Sequence, residues 1–206
     1  MHALHLVAVE ADNHEEAVEE AESALDHYGN GDVWDWYEIG GRWKGIFGEN
    51  EDGTPKNVLC FTEDPESFQE SLENIIRSQN KNLRDLLDKL TGRTISEPEV
   101  SSLWGMPVTD RKGAAERITA QNKQYYELFK KLLTLEEVPS GPNLQSGFGM
   151  LGFYMMQLGK LLCGSYAFES YFYDVHEGAT RPLPVLDRCK SGDGERQYLV
   201  AFDLHN

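Results

Sequence analysis

The segment from Val33 to Phe47, V-W-D-W-Y-E-I-G-G-R-W-K-G-I-F, constrains the chain more than any other, because it sets three of the four tryptophans beside a Gly-Gly pair. Two aromatic-rich runs joined by two glycines predict a tight β-hairpin, since two-residue turns need positive φ that glycine adopts at little cost. With Gly40 and Gly41 as the turn, Ile39 faces Arg42, Glu38 faces Trp43, Tyr37 faces Lys44, Trp36 faces Gly45 and Trp34 faces Phe47. Alternation along strands then sorts the side chains. Trp34, Trp36, Trp43 and Phe47 fall on one face with Glu38, and Asp35, Tyr37, Ile39, Arg42, Lys44 and Ile46 on the other.

Around this hairpin the chain alternates strand and helix. His2 to Glu10 has a nearly continuous apolar centre and reads as a buried strand; His2 and His5, three apart, point to opposite faces, which argues against a shared metal. Asn13 caps a helix with Ala17, Val18, Ala21, Ala24, Leu25 and Tyr28 on one side and acids around the rest, ended by Gly29 to Gly31. The opening is therefore β-α-β-β. A short strand is expected within Asn57 to Thr62. Asp64-Pro65 then starts a helix carrying Phe68, Leu72, Ile75, Ile76, Leu83, Leu86, Leu87 and Leu90, with a bend or break expected at Gln79 and Asn82. Ser96 to Glu99 has the form of a capping box for a short helix, and a further helix runs from about Asp110 to Leu135. Pro139 to Gly147 reads as a loop and an internal boundary. Past it come an all-round apolar helix, Phe148 to Cys163, a strand in Tyr166 to His176, a proline loop flanking a short edge strand at Val185 and Leu186, and a final strand, Gln197 to His205. The pattern predicts an α+β fold: a ferredoxin-like antiparallel sheet from residues 1–62 and 148–206, with residues 63–147 as a helical insertion or lid.

Charge bears on partners. The net charge is −16, and residues 1–41 hold eleven Asp or Glu with no Lys or Arg. A surface this negative repels phosphate backbones, so direct nucleic-acid binding is not expected. It is a solubility feature, or an acidic face that docks on a basic partner as a DNA mimic does. No run of ~18 apolar residues suggests a membrane span, no signal peptide is seen, and the three cysteines form no C-x-x-C, so a cytoplasmic protein without disulfides is expected.

Two constellations carry chemistry. In Asp174-Val175-His176 and Asp203-Leu204-His205 each Asp and His share a strand face, and if the two strands are neighbours the four groups converge. Paired carboxylate and imidazole serve general acid/base catalysis, or a metal held by N and O ligands. Asp and His are also common at strand ends for solvation. The second is the hairpin itself, where Arg42 and Lys44, the first positive charges in the chain, join Tyr37 and Trp43 as a candidate site for a small anionic or nucleotide-like ligand or a protein partner. Its rival is structural, with the aromatics as core and the cations paired to nearby acids. Phosphate-loop, zinc-protease and nucleophile-elbow motifs are absent; G-F-G-M-L-G at 147–152 lacks a lysine and a preceding strand and reads as a helix entrance. No cofactor is predicted.

At W-D-W-Y-E-I-G-G-R-W-K-G the chain resembles a group of uncharacterised small proteins of bacteriophages and prophage-like regions, in which a W-Y-x-x-G-G-R-W hairpin follows an N-terminal strand and helix. The resemblance covers residues 1–47. It implies an accessory protein acting in a bacterial cytoplasm. The leading expectation is a non-catalytic binding protein with the hairpin as recognition surface; the alternatives are a metal-dependent or acid/base hydrolase using Asp174, His176, Asp203 and His205, and an acidic partner-docking protein.

Overall fold

A computed structural model describes residues 2–29, 34–91, 93–104, 106, 110–111, 113–114, 158, 171–192 and 194–205. The chain divides into two compact units, Met1–Ile76 with Tyr166–Asn206, and Arg77–Ser165. Most of the predicted helices 110–135 and 148–163, the loop 139–147 and the first part of the strand 166–176 lie outside the described residues.

The fold is α+β. In the first unit the sheet order is β2–β5–β1–β4, where β1 is His2–Glu10, β2 Trp36–Ile39, β4 Phe172–Asp174 and β5 Gln197–His205; β3, Val58–Cys60, pairs with β5 as well. The two long strands, β1 and β5, pair antiparallel over their full lengths, His2 opposite His205 and Glu10 opposite Gln197. β2 and β3 pair antiparallel with successive parts of β5. β4 lies parallel to β1, so the sheet is mixed. A parallel neighbour needs a long crossover, and more than a hundred residues separate β3 from β4.

Helices cover both faces, which is why β1 and β5 read as apolar runs. α1, His14–Gly29, lays Ala17, Ala21 and Leu25 on Val7 and Val9 of β1 and Val200, Phe202 and Leu204 of β5. It begins where expected: Asn13 accepts from the Glu16 amide through its side chain (3.0 Å), and the Glu16 carboxylate accepts from the Asp12 amide (2.6 Å). The opposite face packs Leu6, Ala8, Leu199, Ala201 and Phe172 under Phe68, Leu72 and Ile75 of α2 (Pro65–Thr91) and Val185, Leu186 and Cys189 of α4 (Leu183–Ser191). α2 is capped by Asp64 through the Ser67 amide (3.0 Å). It is one helix without the expected break, and Gln79 is buried within it.

Two expectations are corrected. Val185 and Leu186 belong to a helix, α4, not to an edge strand. Prolines at the first turn of a helix cost nothing in hydrogen bonds, and Gly192 in the left-handed region (φ 93°) closes it by donating to the Arg188 carbonyl. The Gly-Gly hairpin does not form either. Residues 36–39 are a strand, but β5 supplies its partner, and Gly41–Trp43 continue as a 3₁₀ turn. Gly40 has φ 69° but ψ −54°, which turns the chain out of the sheet, and amide bonds from Trp43 to Gly40, Ile46 to Trp43 and Gly48 to Gly45 keep it coiled. Its own second run was the wrong partner because β5 offers a longer apolar edge.

In the second unit the rest of α2 buries Leu83, Leu86 and Leu87, and α3, Glu97–Trp104, buries Val100, Leu103 and Trp104. The Ser96 amide donates to the Glu99 carboxylate (3.0 Å), the half of the predicted capping box that the glutamate supplies, and the Ser96 hydroxyl donates to the same carboxylate (2.9 Å). Arg93 also pairs with Glu99 at 2.7 Å.

Candidate functional site

Register across three strands builds the most distinctive polar cluster. His2 of β1 stands opposite His205 of β5, and His205 opposite Trp36 of β2. Residues directly opposite across antiparallel strands share a face, so the three rings form a row. His2 and His205 meet edge to face with centroids 4.8 Å apart; Trp36 lies flat on His205 at 5.3 Å and meets the edge of His2 at 5.4 Å. The row is partly open, with side-chain exposure of 19% at His2 and 31% at His205, and Trp36 42% exposed.

Each imidazole has its own carboxylate. His2 Nδ1 is 2.9 Å from Asp203 Oδ1, and His205 Nδ1 is 2.6 Å from Asp35 Oδ1. An ionised carboxylate only accepts, so each Nδ1 carries the proton and, when the ring is neutral, each Nε2 keeps its lone pair. The hydrogen bond from His205 holds the Asp35 carboxyl below its usual range. Asp203 is buried, and its other oxygen accepts from the Arg42 amide at 3.1 Å. One carboxylate thus ties the imidazole row to the turn after β2. A Cβ on Gly41 would collide with Asp203 Cβ, so only glycine lets this carboxylate reach the backbone. Asn57 closes the other side of the turn, accepting from the Gly45 amide at 2.7 Å.

The four D-x-H residues are not brought together. β1 lies between β4 and β5, with Asp174 in register with Ala8 and Asp203 with Leu4. Four residues along a strand is about 13 Å. Asp174 does not lie on a wetter face: α4 covers it, and Arg188 donates to both its oxygens at 2.9 Å. Burial pushes the Asp174 carboxyl above its ordinary range, against the opposite pull of Arg188. Around the same guanidinium, Glu10 and Glu177 lie at 3.7 Å and Gln197 at 3.3 Å. His176 is exposed, 3.8 Å from Glu10. Among the described residues no group of three or more His, Cys, Asp and Glu side chains is placed to hold a metal ion.

The basic-aromatic residues separate by depth. Tyr37 packs edge-on against Phe202 and donates to Asp26 at 2.8 Å, and burial with that carboxylate pushes its hydroxyl up to about 12. Trp43 is half-buried. Arg42 and Lys44 are exposed and make no ion pair among the described residues. Sequence reasoning named Asp203 and His205 but missed His2, Asp35 and Trp36. The available signal was that β1 and β5 are equal-length apolar runs, each with histidine at the end that antiparallel pairing would bring together.

The fold and site define an α+β protein with a ring-and-carboxylate row beside a clamped basic turn. Compared with known proteins, the chain matches no family model, no curated protein and no solved structure. No described helix is long and apolar enough to cross a membrane.

Proposed function

We propose that this is a non-catalytic accessory protein that recognises an anionic group, on a small ligand or a protein partner, through the turn after β2. The observation that carries this reading is that Arg42 and Lys44 stand exposed and without ion-pair partners among the described residues, in a chain of net charge −16. Their backbone is fixed by Asp203 and Asn57, so the two cations are presented on a pre-ordered turn, which lowers the entropy cost of binding. The resemblance of residues 1–47 to small phage and prophage proteins supports a bacterial or phage setting. The hydrolase reading has less support, because β1 separates the strand of Asp174 from the strand of Asp203 and His205, and His176 lies in the turn beyond β4.

Calorimetric titration with pyrophosphate, a nucleoside triphosphate and an acidic peptide tests the proposal. One of these is expected to bind at low salt, more weakly as ionic strength rises, and about tenfold or more weakly in the R42A/K44A double variant with its melting temperature unchanged. Binding equal in the wild type and the double variant would refute it.

A further inference from the structure

We propose that His2 and His205 form a cross-strand imidazole pair that binds a late first-row divalent metal ion such as Cu²⁺, Ni²⁺ or Zn²⁺. Metal binding here does not require that the basic turn bind an anion, although Asp203 touches both the imidazole row and that turn. Three observations converge.

The first is position. The two histidines occupy directly opposed places on two nine-residue strands, in a pairing that runs without interruption from His2–His205 to Glu10–Gln197. Their separation is therefore set by the sheet and not by loop conformation. Two imidazoles sharing one ion through N–metal bonds of about 2.0–2.1 Å place their ring centres about 4.5–5.2 Å apart for angles between square and tetrahedral. The observed separation is 4.8 Å.

The second is the state of the nitrogens. Both rings commit Nδ1 to a carboxylate, His2 to Asp203 and His205 to Asp35. This is the outer-shell arrangement that fixes the tautomer of metal-binding histidines and raises the basicity of the free nitrogen. Neither Nε2 has a hydrogen-bond partner among the described residues, and both rings keep some exposure.

The third is the donor set. Asp35 and Asp203 are spent on the outer shell, so the protein offers two nitrogens, and water or an added ligand completes the coordination. Imidazole pairs suit copper, nickel and zinc, whereas magnesium and calcium require oxygen ligands. Trp36, flat on His205, gives the site an intrinsic reporter, since a paramagnetic ion bound there quenches its fluorescence.

The test is titration of the full chain with Cu²⁺, Ni²⁺, Zn²⁺ and Mg²⁺ by calorimetry and tryptophan fluorescence. One equivalent of Cu²⁺ is expected to bind, more tightly than Ni²⁺ or Zn²⁺, with no Mg²⁺ binding. H2A and H205A should each weaken Cu²⁺ at least about tenfold, and D35N, which alters only the outer shell, about tenfold. W36F should retain binding and lose much of the quenching. If an alanine variant loses its cooperative unfolding transition, H2Q and H205Q replace it, and the W36F comparison needs neither. The proposal is overturned if the wild type binds no Cu²⁺, if affinity is unchanged when either histidine is replaced, or if W36F quenches as fully as the wild type. Affinity that persists in H2A and H205A would instead belong to donors elsewhere in the chain.

Discussion

His5 makes the stability of the fold depend on pH. It sits within β1 on the α1 side of the sheet, fully buried beside Trp34, and burial lowers its pKa from 6.5 to about 3. A base with a depressed folded-state pKa stays neutral in the fold while the unfolded chain takes up a proton. Its contribution to stability is present above pH 6.5 and is lost as pH falls from there toward 3. At pH 5 the loss is about 2 kcal/mol, 1.5 pH units at 1.36 kcal/mol each. Denaturant unfolding at pH 8 and pH 5 should show the wild type losing about that much more than His5→Leu between the two pH values. Equal losses would mean that His5 is already protonated in the fold. Nothing in the sequence around His5 distinguished it from His2. Parity put them on opposite faces and helices cover both, so the difference is position along the strand: His5 lies mid-strand under α1, and His2 lies at the end of β1.

At the scale of the element, the turn after β2 departs most from the sequence pattern. Gly-Gly between aromatic runs signals a hairpin because local rules weigh only the two neighbouring segments, and β5 competes from the far end of the chain. The glycines are required for a different reason than the one anticipated. Gly41 has φ 46° and lies against Asp203, whereas Gly53 has φ 79° and nothing within 4 Å of the place a Cβ would occupy. Gly53→Ala should therefore cost only the backbone penalty of about 1–2 kcal/mol. Gly41→Ala should cost more, about 1–3 kcal/mol beyond it, because Asp203 must move and release His2 and the Arg42 amide. Urea unfolding of the two variants measures the difference, and equal losses would show that the Asp203 clamp contributes nothing. Helix ends, by contrast, were legible. Asn13, Asp64-Pro65 and Ser96-x-x-Glu99 start helices through contacts within four residues, which a sequence contains in full.

At the scale of the molecule, β5 holds the first unit together. It pairs with β1, β2 and β3, and both its faces are buried. Truncation after Arg196 should abolish the cooperative unfolding of this unit, because β2 and β3 have no other pairing strand among the described residues and β1 loses its longest partner. Near-ultraviolet circular dichroism across a urea gradient reads this directly, and a surviving sigmoidal transition would contradict it. Pairings that join residues nearly two hundred positions apart are expected to slow folding, since loop closure must precede the contacts that reward it.

The sequence by itself determined the α+β class, the spans of β1 and β5, and the capped starts of α1, α2 and α3, because apolar periodicity and capping chemistry are local. It also established that Asp203 and His205 share a face, since strand parity needs no partner. Strand order was decided only in three dimensions. That order separated Asp174 from Asp203 and set His2, His205 and Trp36 in one row. The physical reason is that a strand's neighbours are chosen by competition among all available apolar edges, a global comparison that no window of sequence contains.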